Sequence, residues 1–129
     1  MSNEILYILL PDYAAHEAVY LSQAIASDEY ALKAHPLYVN KVVAPTLEPV
    51  RSIGGFRTLP DYSFDTVPDD YAALVLIGGF GWSTPVAECV MPIVKKAVEN
   101  GKIVGAICNG ASFLAKCGLL NNVRPVSYT

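Results

Sequence analysis

The sequence predicts an α/β fold with a doubly wound, mostly parallel sheet. Three short apolar runs show almost no polar–apolar alternation, which is typical of strands covered on both faces. Each run is followed by a segment with helical periodicity, and strand–helix units joined by short connections favour a parallel sheet between helix layers. The runs are Ile5–Leu10, Ala72–Ile77 and Ile103–Ile107.

The first helix is predicted directly after the first apolar run. Its apolar residues recur at positions i, i+4, i+7 and i+11, the spacing of one helix face. They are Ala14, Ala18, Leu21 and Ile25. Asp12 precedes them and is available as the N-cap, because an aspartate side chain accepts hydrogen bonds from the first free amides of a helix.

Proline and glycine bound the other two predicted helices. Pro92 occupies a first-turn position and Gly101 supplies a stop, while Gly118 ends the helix after the third run. The expected apolar residues of the second helix are Ile93, Val94, Ala97 and Val98, and those of the third are Ala111, Leu114 and Ala115.

Further strands are predicted between and after these units. Tyr38–Val43 resembles a strand, and Val50–Leu59, broken by Gly54–Gly55, resembles a hairpin. The last residues, 123–129, read as the start of another strand. We therefore expect residues 1–129 to form a single domain that lacks its C-terminal strand and helix, with the remainder removed or carried by a second chain.

Composition excludes several classes of protein. The 129 residues are 53% hydrophobic and 16% charged with a net charge of −3, which indicates a globular chain without a nucleic-acid footprint. No apolar run approaches the length of a membrane span, and no cationic segment precedes the first run. Three cysteines, without metal-binding spacing, favour free thiols in the cytoplasm and no metal or other cofactor.

Cys108 is the first candidate catalytic residue. It follows the third apolar run and precedes Asn109 and Gly110, the strand–nucleophile–small residue–helix layout of a nucleophile elbow. The N-terminus of the next helix favours a thiolate there, and neighbouring backbone N–H groups are placed to hold an oxyanion. The alternative is a buried structural thiol.

The loop Gly78–Trp82, with the sequence GGFGW, opens onto the same edge of the sheet. Gly78 permits close backbone approach to a substrate, and Trp82 is a candidate pocket wall. A dinucleotide fingerprint is a weak alternative because the third glycine is missing, and a plain tight turn is another. Glu17, in the first helical turn, either complements the helix dipole or meets Cys108 as a protonated carboxyl.

These residues identify a family resemblance. ALVLIGGFGW and VKKAVENGKIVGAICNGASFLAKCGLL resemble the ThiJ/PfpI family of the class I glutamine amidotransferase-like superfamily, from Ile5 to about Leu120. The resemblance implies a flavodoxin-like fold, usually dimeric, in which Cys108 is the nucleophile and Glu17 the acid beside it. It also implies that the backbone N–H groups of Gly79 and Asn109 form the oxyanion site.

The sequence departs from the family at the general base. Family hydrolases take a His shortly after the elbow helix, whereas residues 123–129 contain none, and His16 and His35 lie upstream. We expect His16 to be a solvated or capping residue and His35, in the Ala34–Pro36 turn, to lie at the surface. The first functional hypothesis is a hydrolase-like enzyme acting on a small amide or carbonyl substrate. The alternatives are a redox module in which an oxidant modifies Cys108, and a nucleotide-binding module.

Overall fold

A computed structural model describes residues 2–26 and 38–119. The strands are β1 Glu4–Ile8, β2 Val39–Ala44, β3 Val50–Arg51, β4 Arg57–Thr58, β5 Tyr62–Ser63, β6 Ala73–Leu76 and β7 Ile103–Ala106. The helices are α1 Ala15–Ala26, α2 Met91–Glu99 and α3 Asn109–Lys116, with short 3-10 helices at Phe80–Ser83 and Pro85–Val90. The predicted strand at 123–129 and the predicted turn at His35 lie outside the described residues.

The main sheet confirms the predicted parallel topology. Its five strands have the order β5-β2-β1-β6-β7, and every neighbouring pair is parallel. The chain moves from β1 to β2 on one side and reaches β6 on the other side, so the order reverses between β1 and β6. Ligands of open α/β sheets bind beyond the carboxyl ends of the strands at such a point.

Helices cover both faces of this sheet, as a doubly wound fold requires. On one face, Ala18, Leu21 and Ile25 of α1 pack against a core cluster that includes Tyr7 of β1. On the other face, α2 and α3 bury Val94, Ala97, Phe113 and Leu114 against Leu6, Ile8, Leu74 and Leu76. Alternate residues of β1 therefore enter two different cores, which explains its continuous apolar sequence.

The edge of the sheet differs from the prediction. Ile103, at the start of β7, is 72% exposed, so in the described residues this strand is not covered as β1 and β6 are.

The apolar faces of the last two helices also differ from the predicted ones. Val98 is 46% exposed and Ala115 is exposed, whereas Phe113, which the predicted stripe omitted, is buried. The buried face of α2 is therefore narrower than predicted, because it excludes Val98. The buried face of α3 is rotated from the predicted one, because it includes Phe113 and not Ala115.

The loop after β1 is also different from the prediction. Asp12 does not cap α1, because α1 begins at Ala15 and Asp12 has a left-handed φ of 64°. Its N–H donates to the carbonyl of Arg51 and its carbonyl accepts from the N–H of Phe80. Asp12 therefore ties the β3–β4 hairpin and the loop after β6 to the carboxyl end of β1. The hairpin itself is confirmed, with β3 and β4 antiparallel.

Candidate functional site

Cys108 lies at the junction of β7 and α3, at the carboxyl edge of the sheet. It immediately precedes the first residue of α3 and has φ 56° and ψ −121°. A non-glycine residue rarely adopts a positive φ, and strain of this kind concentrates at functional sites. Gly110 lets α3 approach β6, since a Cβ there would lie 2.8 Å from the Leu76 carbonyl oxygen. The thiol residue is exposed rather than buried.

Glu17 and Cys108 come together on either side of Gly78. The Gly78 N–H donates to Oε1 of Glu17 at 2.9 Å. A Cβ on Gly78 would lie 2.6 Å from the same oxygen and 2.8 Å from the Cβ of Cys108. Only a residue without a side chain therefore fits between the carboxylate and the cysteine. Gly78, predicted as part of a substrate pocket, holds the acid in place.

Gly79 and Asn109 meet through the asparagine side chain. Nδ2 of Asn109 donates to the Gly79 carbonyl oxygen at 3.0 Å, which fixes the loop after β6 to the start of α3. Gly79 has a φ of 144°, and a Cβ there would lie 2.4 Å from the Asp12 carbonyl oxygen. Within the described residues, no loop or turn hydrogen bond uses the backbone N–H of Gly79 or Asn109.

Trp82 is not brought to the exposed side of this loop. Its ring is 7% exposed, contacts the Phe113 ring with centroids 4.9 Å apart, and donates its indole N–H to the Ile77 carbonyl at 2.6 Å. Trp82 borders an open cavity of about 400 Å³, and Cys108 is not among the residues that line this cavity. The exposed aromatic residue of the loop is Phe80, 63% exposed, which the sequence did not single out.

His16, Cys89 and Cys117 differ from one another in exposure. His16 is solvated as expected, yet its Nε2 lies 4.0 Å from Oε2 of Glu17. Cys89 is exposed and Cys117 is half-buried, and burial raises the pKa of the Cys117 thiol.

No group of three or more metal-ligating side chains occurs within residues 2–26 and 38–119. In the same ranges, no helix is long and apolar enough to cross a bilayer.

His16, expected from the sequence to be a solvated or capping residue, borders Glu17 in the structure. His16 had a detectable signal, since it adjoins Glu17 in the chain, but successive helical residues point in different directions. The contact arises because both side chains lie in the first turn of α1, where the long Glu17 side chain leaves Oε2 on the side of the imidazole.

Comparison with known proteins gives consistent matches over most of the chain. The sequence model of the DJ-1/PfpI family matches residues 3–129. An uncharacterized protease, YdeA, from Bacillus subtilis is 37% identical over 117 residues, 91% of this chain and 55% of YdeA. The glutathione-independent glyoxalase DJR-1.2 from Caenorhabditis elegans is 30% identical over 84 residues, 64% of this chain and 45% of the relative.

Solved structures agree with the fold. The DJ-1 superfamily protein Atu0886 from Agrobacterium tumefaciens superposes with a TM-score of 0.78 and 31% identity, covering 95% of this chain and 61% of that protein. The chain thus spans little more than half the length of YdeA and Atu0886. The flavodoxin-like architecture predicted from the sequence is confirmed by this match.

Proposed function

This chain belongs to the DJ-1/PfpI family, and on that premise we propose that it is a cysteine-dependent enzyme in which Cys108 attacks a small carbonyl or amide substrate. One observation carries the proposal: an exposed cysteine in strained backbone faces a carboxylate across a glycine too crowded to bear a side chain. A structural cysteine needs neither the strain nor the exposure, and burial is its usual setting.

The chemistry begins with a proton transfer from the thiol to Glu17. An ionised carboxylate beside a thiolate is repulsive, whereas a protonated carboxyl donates a hydrogen bond to it, so the active pair is a thiolate with a neutral Glu17. Sulphur then bonds to the carbonyl carbon while the π electrons move to oxygen. The backbone N–H groups of Gly79 and Asn109 are the proposed donors to that oxygen. The hydrogen bond from the Asn109 side chain to the Gly79 carbonyl keeps these two residues next to each other.

The substrate class is proposed from the chemistry together with the named relatives. An aldehyde carbon adjacent to a second carbonyl is a strong electrophile for a thiolate, and DJR-1.2 is named a glyoxalase. An α-oxoaldehyde is therefore the first probe. Small amides come second, since YdeA is named a protease.

Turnover of methylglyoxal by the purified protein, with the product followed by NMR, tests this proposal. Cys108→Ser should reduce the rate to that of buffer, and Glu17→Gln should reduce it roughly a hundredfold or more, the usual effect of losing a positioned acid–base group. Cys89→Ser is the matched control, because Cys89 is also exposed but lies in the 3-10 helix before α2. Unchanged turnover in Cys108→Ser would refute the proposal.

The second candidate function is a redox module in which a peroxide oxidises Cys108. The thiolate would attack one peroxide oxygen, the O–O bond would break, and sulfenic acid and hydroxide would form. The exposure of Cys108 favours this reaction over oxidation of half-buried Cys117, whose pKa is raised by burial. Selective sulfenic acid at Cys108, detected by dimedone labelling, without methylglyoxal turnover would favour the sensor over the enzyme.

The assembly and location of the protein remain proposals. We expect a homodimer, as implied by the family resemblance, and light scattering on the purified chain measures the mass directly. We also expect a cytoplasmic protein with free thiols. Neither expectation affects the proposed chemistry at Cys108.

A further inference from the structure

His16 and Glu17 are consecutive residues in the first turn of α1, and their side chains approach each other. Nε2 of His16 lies 4.0 Å from Oε2 of Glu17. The imidazole is 75% exposed, whereas the Glu17 side chain is only 11% exposed. A solvent-facing imidazole therefore borders the shielded acid of the site.

The two oxygens of Glu17 have different neighbours. Oε1 accepts the Gly78 N–H at 2.9 Å. It is also on the side of Cys108, since a Cβ on Gly78 would lie 2.6 Å from Oε1 and 2.8 Å from the Cys108 Cβ. Oε2 is the oxygen that approaches His16. Charge on the imidazole therefore acts directly on the Glu17 carboxylate through Oε2.

In the proposed function, one proton is shared between Glu17 and Cys108. It resides either on the carboxyl, leaving a thiolate, or on sulphur, leaving a carboxylate. A positive charge favours the arrangement that puts the anion nearer to it. With His16 protonated, that anion is the Glu17 carboxylate, and the proton stays on sulphur as a thiol, which is a poor nucleophile.

We propose that His16 is a positioning residue that, when protonated, holds Glu17 ionised and thereby reduces the nucleophilicity of Cys108. The inference rests on the proposed function of these two residues. A positive charge at residue 16 then lowers the reactivity of Cys108, and a neutral side chain there restores it.

Other charges near the start of α1 do not replace Glu17 as the partner of His16. The other titratable or charged residues nearby are Tyr20 in α1, Asp12 and Tyr13 in the loop before it, and Arg51 of β3, whose carbonyl accepts from the Asp12 N–H. Within the described part of the chain, Glu17 is the carboxylate within ion-pair distance of the imidazole. The effect of residue 16 should therefore depend on Glu17.

The test is the rate at which iodoacetamide alkylates Cys108, resolved by peptide mass, in His16→Gln and His16→Lys from about pH 5 to 8. Glutamine mimics a neutral imidazole, and lysine supplies a permanent positive charge. We expect Cys108 to react about two- to fivefold more slowly in His16→Lys than in His16→Gln, the range of an exposed ion pair.

Two further variants separate this coupling from a general electrostatic effect. Gln23→Lys adds the same charge about two helical turns further along α1 and should leave the rate unchanged. In a Glu17→Gln background, the difference between lysine and glutamine at position 16 should disappear. His16→Arg provides a second cationic variant, and the exposed position makes a folding defect unexpected.

Each outcome is decisive. Faster alkylation in His16→Lys would mean that the charge acts directly on the thiolate, and equal rates in the two variants would mean that residue 16 is uncoupled. Either result overturns this inference while leaving the proposed function intact. If Cys108 reacts no faster than exposed Cys89 in every variant, the proposed function fails and the inference fails with it.

Discussion

Replacing Gly78 with alanine places a methyl group where Glu17 and Cys108 meet. The new Cβ would lie 2.6 Å from Glu17 Oε1, 2.8 Å from Cys108 Cβ and 2.9 Å from the Ile107 carbonyl oxygen. Real Cβ atoms essentially never approach other heavy atoms this closely. Since the Ile107 oxygen and the Cys108 Cβ are both fixed by the backbone, the group that gives way most easily is the end of the Glu17 side chain.

The expected cost follows from two changes. Inserting a methyl group into a packed site costs about 1–3 kcal/mol. Displacement of Glu17 also weakens its hydrogen bond from the Gly78 N–H, which for a neutral carboxyl is worth about 0.5–1.5 kcal/mol. We expect Gly78→Ala to lower the free energy of unfolding by about 2–4 kcal/mol. Loss of the neutral carboxyl beside sulphur should slow Cys108 alkylation about tenfold, which corresponds to the weakest hydrogen bond donated to a charged group, here the thiolate.

Urea unfolding, followed by the fluorescence of Trp82, the one tryptophan of the sequence, measures the stability change. Gly81→Ala is the matched control, because its Cβ would lie 2.6 Å from Leu10 Cβ and 2.7 Å from the Pro11 oxygen, without contacting Glu17. It should destabilise the fold by a similar amount and leave the alkylation rate of native Cys108 unchanged. Wild-type alkylation in Gly78→Ala, or equal slowing in both variants, would refute the reasoning.

Three further predictions concern other parts of the fold. Asn109→Ala removes the donor to the Gly79 carbonyl and should lower the free energy of unfolding in urea by about 0.5–1.5 kcal/mol, with no change counting against it. Tyr7→Phe removes a buried hydroxyl without a partner in the described residues and should raise stability by about 1 kcal/mol, whereas a loss of that size would reveal an unseen partner. Burial raises the pKa of Tyr7 to about 12, and a hydrogen bond to Glu4 raises that of Tyr62 to about 12. Both pKa values exceed the ordinary 10.0, so between these values the unfolded state loses the two protons while the folded state keeps them. The free energy of unfolding should therefore fall as pH rises from about 10 to 12. An ultraviolet titration in which Tyr62→Phe removes no late step would contradict this assignment.

Much of the fold was predictable because the short apolar runs of the sequence match the strands of the parallel sheet. Each apolar run became a strand of the parallel sheet, since a continuous apolar sequence suits a strand with helices on both faces. Gly101 and Gly118 were correctly expected as helix stops, and their φ values of 71° and 77° show why glycine suits both positions. The proximity of Glu17 to Cys108 followed from placing both at the carboxyl edge.

The errors arose where long-range contacts decide the local structure. Asp12 carries a capping side chain, but hydrogen bonds to the hairpin and to the loop after β6 hold it in a left-handed turn instead. Trp82 and Phe80 are both aromatic residues of one loop, and only the available space beside Phe113 determines that Trp82 is the buried one. Periodicity likewise could not fix the edge of the α2 stripe at Val98.

The central claim is that Cys108 is an activated nucleophile paired with Glu17. The most direct measurement compares the iodoacetamide alkylation rates of Cys108 and Cys89 in one sample at about pH 7, since both are exposed and share reagent and buffer. The account predicts that Cys108 reacts at least about tenfold faster than Cys89, and that Glu17→Gln removes most of that difference. Equal rates at the two cysteines, or a difference that survives in Glu17→Gln, would contradict it.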